Sequence, residues 1–333
     1  MSAEPTEDTA SLIDPIPFRD VCKEVTFAPG DLLRTKGQLS IDMLLLTAGE
    51  VEVALDPKAP AGTSLVARAG SPIGEIGFLT GVPATATVRA RTAVKALYID
   101  DGAWREIEAR LPHLAVTLYR QLAAVAEGRQ SHNLVFLAEK GVEPPESRSE
   151  VVFCRTRELL QDAQRIRYEI YCGELGRSSP HADHDKRVIA DDLDSRGHVL
   201  LTFENGSPIA TMRLNMSRDG GLGVLEQLYG MEQSPFHPEA TAICTKFIVK
   251  KAHRVGQSSF RLMATAVELA QRYGIKHCYI DCIPGLKPFY TSLGFKQAGP
   301  AFLHRENGCS YPLMLDVDRF AKRISRLTGF VLG

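Results

Sequence analysis

Apolar and polar positions change their period partway along the chain. From Val21 to about Leu97 they alternate in short runs broken by Pro29-Gly30, Gly37, Ala48-Gly49 and Ala61-Gly62, which predicts short half-buried strands joined by turns. After Tyr98 the period lengthens. Trp104 to Leu111 and Leu114 to about Val125 carry apolar residues at helical spacing. Residues 139–150, EKGVEPPESRSE, hold little that can be buried and read as a linker. Beyond them Leu159, Ala163, Ile166 and Ile170 share one helical face, and Arg167 and Glu174 fall on its polar side. HVLLTF and PIATMRLNM flank Asn205-Gly206, a strong hairpin signal. A strand is then predicted at Cys244–Val249, a helix from about Gln257 to Tyr273 ended by Gly274, a strand at His277–Cys282, and a short helix, LKPFYTSL, ended by Gly294. The pattern predicts two domains: an all-β domain with flanking helices over 1–138 and an α/β (α+β) domain over 151–333.

Composition adds limits rather than detail. With 333 residues, 44% hydrophobic and 24% charged, each half has enough apolar residues for its own core. The formal net charge of −1 gives no bulk support for nucleic-acid binding. The basic run Lys250, Lys251, His253 and Arg254 offers at most one anion site. Seven cysteines are scattered without a CxxC pair, which argues against a zinc site or a disulfide framework. No run approaches the roughly 18 apolar residues of a membrane span, and MSAEPTEDTA does not read as a secretory leader, so a cytoplasmic setting is expected. His181 and His184 with Asp183 and Asp185 match metal ligands by composition only, and no metal is expected.

The segment from Ile73 to Ala90, IGEIGFLTGVPATATVRA, resembles the phosphate cassette of cyclic-nucleotide-binding domains. Gly74, Glu75, Pro83, Ala86 and Thr87 fit it, whereas the arginine position is Ala84. That resemblance implies a jelly roll with flanking helices. It also implies a cyclic nucleotide as effector, held at Gly74, Glu75, Ile76, Ala84 and Thr85. Without the arginine's charge-assisted contact, affinity should fall about ten- to a hundredfold.

Four pieces of the second half carry another resemblance: RIRYEIYCGELG (165–176), DDLD (191–194), the hairpin end TMRL (211–214) and DCIPGLKPFYTSLGF (281–295). They are similar to GNAT-type acyltransferases, and more narrowly to acyl-homoserine-lactone synthases and N-acyl amino acid synthases. The resemblance implies a GNAT fold with a central mixed sheet. It places Arg167, Glu174, Asp192, Asp194 and Arg213 along the acceptor and catalytic region, with Arg213 or Arg167 holding an acceptor carboxylate. Tyr290 is then the proton donor to the leaving thiolate. Phe247, Ile248 and Val249, with His253, Arg254, Gly256, Gln257 and Ser258, would hold the acyl thioester. Because that turn keeps a single glycine, an acyl carrier protein is expected as donor ahead of free coenzyme A. The strand carries no glutamate among Ala242, Ile243, Cys244 and Thr245, so the group that accepts the amine proton stays open.

The resulting expectation is an N-acyltransferase with a small-molecule amine acceptor, an N-terminal regulatory domain, and the option of a homodimer. Two alternatives stand beside it: a cyclic-nucleotide-regulated acetyltransferase using acetyl-CoA, and a non-enzymatic scaffold in which both sites have decayed. For single residues the plainer readings are a solvated Arg167–Glu174 face, a solvent-facing Arg213, a packing Tyr290 and a buried, inert Cys282.

Overall fold

The computed structural model describes residues 6–7, 12–55, 64–139, 149–254 and 257–328. The predicted turn at Ala61-Gly62, most of the expected linker, and Gly256 of the thioester turn lie outside the described residues. The chain divides into two compact units, 1–146 and 147–333.

The first unit contains β1 (Thr6–Glu7), β2 (Lys23–Phe27), β3 (Leu32–Arg34), β4 (Met43–Ala48), β5 (Glu50–Ala54), β6 (Leu65–Arg68), β7 (Pro72–Ile73), α1 (Glu75–Thr80), β8 (Thr87–Ala90), β9 (Val94–Ile99), α2 (Asp101–Arg110) and α3 (Pro112–Glu139). Its strands form two sheets, ordered β1-β6-β5-β8-β3 and β2-β9-β4-β7. Strand β4 opens with Met-Leu-Leu-Leu because both of its faces are covered. Leu44 and Leu46 join Leu33, Val51, Val88 and Ala96 in one core. Met43 and Leu45 pack with Phe78, Ile107, Leu118 and Leu122 of the helices in a second. Asp100 starts α2 ahead of the expected Trp104 by accepting from the backbone N–H of Ala103. Helix α3 starts at Pro112, whose missing N–H suits a first helical position, and runs well past the expected end at Val125.

The second unit contains β10 (Ser149–Phe153), α4 (Arg157–Tyr168), β11 (Ala182–Asp183), β12 (Val188–Ile189), β13 (His198–Glu204), β14 (Ser207–Met216), α5 (Val224–Leu228), β15 (Thr241–Val249), α6 (Gln257–Arg272), β16 (His277–Cys282), α7 (Lys287–Leu293), β17 (Lys296–Gln297), β18 (Phe302–His304), β19 (Gly308–Asp316) and α8 (Val317–Thr328). One mixed sheet runs β10-β13-β14-β15-β16-β19-β17, with β18 paired to β19, while β11 and β12 form a small hairpin of their own. The β13–β14 hairpin turns at Asn205 and Gly206, both at positive φ as that turn requires. In the large sheet β15 and β16, joined through α6, are the parallel pair; the other pairings are antiparallel.

Two features of β15 open a cleft in this sheet. Its parallel register with β16 runs only from Thr241 opposite His277 to Ile243 opposite Tyr279. Beyond that point the two strands part. On its other edge β15 stays paired with β14 to Val249, but the register slips by one residue between Thr211 and Arg213. The extra residue is a bulge, and Lys246 within it sits at φ 54.

Candidate active site and effector cavity

Where β15 leaves β16, alternate backbone N–H groups of Cys244–Val249 face the opening instead of a ladder partner. The bulge at Lys246 lies within this stretch, which includes Phe247, Ile248 and Val249. Tyr290 on α7 lies at the same opening: its phenol is pushed up by burial and then by Cys244, Cys282, Asp281 and Tyr171 around it. The phenol therefore keeps its proton throughout the neutral range. Cys282 is buried and its thiol is pushed up to about 11 by burial and by Asp281, against the lowering effect of Lys287, so it is a packed thiol rather than a nucleophile.

Arg167 and Arg213 are the largest fully buried side chains among the described residues, at 0% and 1% exposure. This corrects the expectation that Arg167 lies on the polar side of its helix, and it removes the plainer reading of a solvent-facing Arg213. Helical spacing placed Arg167 correctly around the helix, but a buried acid covers that side. Asp194 accepts from Arg167 Nη1 at 2.7 and 2.8 Å and from Arg213 Nη1 at 2.8 Å. Asp191 takes both Nη groups of Arg213, and Arg213 Nε donates to Thr245 at 3.2 Å. Burial raises the Asp191 carboxyl, but the bond and charge of Arg213, with Lys246 and Arg167 behind it, outweigh this and leave it below its ordinary value. Gly197 allows the packing: a Cβ there would sit 2.8 Å from Arg213 Cδ and 2.6 Å from the carbonyl of Leu193.

The network also reassigns two expected residues. Asp192 is exposed and stands outside it, while Asp191, which caps the same short turn, is inside. Glu174 does not meet Arg167; it pairs with Arg254 at 2.6 Å. Every nitrogen of the Arg213 guanidinium already has a partner in Asp191, Asp194 or Thr245. Arg167 differs: its Nε and Nη2 are buried and have no hydrogen-bond partner among the described residues. A single turn of π-helix, Glu169–Glu174, follows directly after α4.

Three members of the basic run are already ion-paired, while Lys251 is exposed. Lys250 pairs with Glu169 at 2.9 Å, His253 with Glu204 at 2.6 Å, and Arg254 with Glu174. Ser258 is buried near the start of α6, and the side chain of Gln257 lies outside the described residues. Sequence reading missed a second polar cluster. Lys246 pairs with Glu306 at 2.7 Å, Ser179 donates to Glu306, Arg177 donates to Asn307, and Tyr229 donates to Asp281. Its members come from five separate segments, so no local spacing could reveal it. Among the described residues no group of His, Cys, Asp and Glu could hold a metal. His184 instead meets the Tyr168 hydroxyl at 3.0 Å.

In the first unit Gly74, Glu75, Ile76, Ala84 and Thr85 line one cavity of about 280 Å³, walled by Val53, Leu55 and Leu65 on the sheet side and by α3 on the other. Glu75 is 2% exposed and pairs with Arg129 of α3 at 3.0 Å. Gly74 has φ 88, which favours glycine, and a Cβ there would crowd Arg34 Nε at 3.0 Å. Arg34, held by Asp42, lines the cavity beside Ala84.

Residues 162–315 match the family model of the N-acyl amino acid synthase FeeM, and residues 24–110 match that of the cyclic nucleotide-binding domain. Among solved structures, the chain is similar to FeeM from uncultured soil microbes, with 16% identity over 55% of this chain and 99% of that one and a TM-score of 0.45. It is also similar to a variant of the cAMP-binding acyltransferase from Mycobacterium smegmatis, with 18% identity over 91% and 83% of the two chains and a TM-score of 0.28. A protein of Rhodopseudomonas palustris described as a potassium channel is 30% identical over 105 residues, 32% of this chain. The chain thus spans about a quarter of that curated relative, 24% of its length. No helix among the described residues is long and apolar enough to cross a membrane. The chain carries a cyclic-nucleotide-binding-type domain fused to a GNAT-like acyltransferase domain of the N-acyl amino acid synthase type.

Proposed function

We propose that the second unit transfers a long acyl group from a thioester to the amine of an amino acid, at the opening between β15 and β16. The observation that carries the reading is the parting of these strands after Ile243 and Tyr279, with the Lys246 bulge on one lip and Tyr290 on the other. A thioester carbonyl laid along β15 would place its developing oxyanion against the N–H groups of Phe247 to Val249. Tyr290 would give its proton to the departing sulfur. The acceptor is read as an amino acid because Arg167 keeps an Nε/Nη2 edge without an acceptor, the bidentate match for a carboxylate. Bringing a carboxylate there requires local opening, since Arg167 is fully buried.

The donor is read as an acyl carrier protein. A carrier arm brings one phosphodiester to the turn, whereas coenzyme A brings three phosphate groups that must compete with Glu169, Glu174 and Glu204 for their cations.

Substituting Tyr290→Phe tests the site. If the phenol is the acid, kcat falls about 10²- to 10⁴-fold while the melting temperature holds. A phenol that only packs would lose one hydrogen bond worth about 1 kcal/mol, so unchanged kcat with lowered stability would remove Tyr290 from the mechanism.

A further inference from the structure

An amine enters the site mostly as its ammonium form and must lose a proton before nitrogen can attack. The β15 strand supplies no glutamate for this. The two polar clusters beside β15 contain the carboxylates Asp191, Asp194, Glu306 and Asp281, while Glu169, Glu174 and Glu204 beyond its end are paired with Lys250, Arg254 and His253, and the partners of the four differ in kind. Asp191 and Asp194 are bonded to Arg213 and Arg167, and Glu306 to Lys246. A carboxylate locked to a cation is a poor base, because the cation stabilises its ionised form.

Asp281 is different. Its two bonding partners are neutral: Tyr229 Oη donates to one oxygen at 2.8 Å and Asn307 Nδ2 to the other at 3.3 Å. It stands two residues beyond Tyr279, where β16 has just lost its pairing with β15, and the two side chains share a face of the strand. It is half-buried, and its charge acts on both Tyr290 and Tyr171. Tyr229 is fully buried and fixed in a core with Ile243 and Tyr279, so it holds the carboxylate in one orientation.

We infer that Asp281 accepts the proton of the attacking amine, so that the base comes from β16 rather than from β15; the inference rests on the acyl-transfer reading above. The Asp281 carboxylate takes one proton from the ammonium group and later releases it to solvent. The freed nitrogen pair forms the C–N bond, and the C–S pair leaves on sulfur, which takes the Tyr290 proton. The second nitrogen proton, shed as the tetrahedral adduct collapses, restores the phenol.

The test uses the full chain, dodecanoyl-CoA or the dodecanoyl carrier-protein thioester, a panel of the standard L-amino acids as acceptors, and released thiol as the readout across a pH series. Asp281→Asn should lower kcat about 10²- to 10⁴-fold at neutral pH, with Asp281→Glu retaining part of the rate. The Asn deficit should shrink about tenfold per pH unit as the solution itself deprotonates the amine. Tyr229→Phe removes a bond to the ionised carboxylate, so the acid limb of the profile should move to higher pH. An Asn variant within about threefold of wild type, or one slower by the same factor at every pH, overturns the assignment. An acid limb unmoved in Tyr229→Phe also overturns it, and this readout stands even if the Asn variant does not fold. A wild-type chain that releases no amine-dependent thiol is a separate result, reached before any variant is made, and it removes both the acyl-transfer reading and the role of Asp281.

Discussion

Arg213 is a residue whose surroundings the chain order hides. Alternation along β14 puts Thr211 and Arg213 on one face, which is compatible with solvent until Asp191, Asp194 and Thr245 are seen to close over the guanidinium. The DDLD motif announced carboxylates, but which of them turn inward depends on the short helical turn that Asp191 caps and on the exposed position this gives Asp192. Arg213→Ala would leave the partly buried Asp191 without its cation and Asp194 with one cation instead of two. Removing one partner of a buried pair costs about 3–5 kcal/mol, so chemical denaturation of the second unit should show a loss of that size. A loss under about 1 kcal/mol would mean that the pair behaves as an exposed one.

Among the elements, β14, β16 and the β13–β14 hairpin were legible because period and turn chemistry agree over their whole length. The extent of β15 was only partly legible: Thr241–Ile243 are apolar or small and carry no boundary signal, and their membership follows from pairing with His277–Tyr279. The bulge at Lys246 had no sequence mark, since a lysine at positive φ is set by the ladder around it. The pairing of the two ion clusters also gives this unit an acid limit. Burial raises Asp191 and Glu306, but their bonds and charges from Arg213, and from Lys246 and Ser179, leave both carboxyls below their ordinary values. Depressed carboxyls stabilise the fold above their unfolded values of about 4, and that contribution is lost as pH falls through the native values. Circular dichroism of the second unit in the intact chain should therefore show stability flat from pH 7 to about 5 and falling below about 4. Stability that rises on acidification in that lower range would contradict the network as described.

At the scale of the whole molecule, the two-part organisation was readable from the change of hydrophobic period, and the missing cassette arginine from a single letter. What could not be read is that Glu75, the carboxylate expected to meet a ribose hydroxyl, is already paired with Arg129 from α3, more than fifty residues away. A cyclic nucleotide must therefore do without one contact and displace another. Calorimetric titration of wild type with cyclic AMP should show no submicromolar binding, and Ala84→Arg should tighten it about ten- to a hundredfold by restoring a charge-assisted bond worth about 1.5–3 kcal/mol. Submicromolar affinity in the wild type would show that Arg34 and Thr85 already supply what position 84 lacks.

Both the role of Tyr290 and that of Asp281 depend on acyl transfer to an amino-acid amine, and product mass reads that reaction without an intermediary. The intact chain is incubated with dodecanoyl carrier protein, dodecanoyl-CoA and acetyl-CoA in competition, together with nitrogen-15-labelled amino acids. Dodecanoyl amides carrying the label are expected, formed faster from the carrier thioester than from either coenzyme A thioester. Labelled acetyl amides as the dominant product, or thioesters consumed only to free fatty acid with no labelled amide, would contradict long-chain transfer to an amino acid.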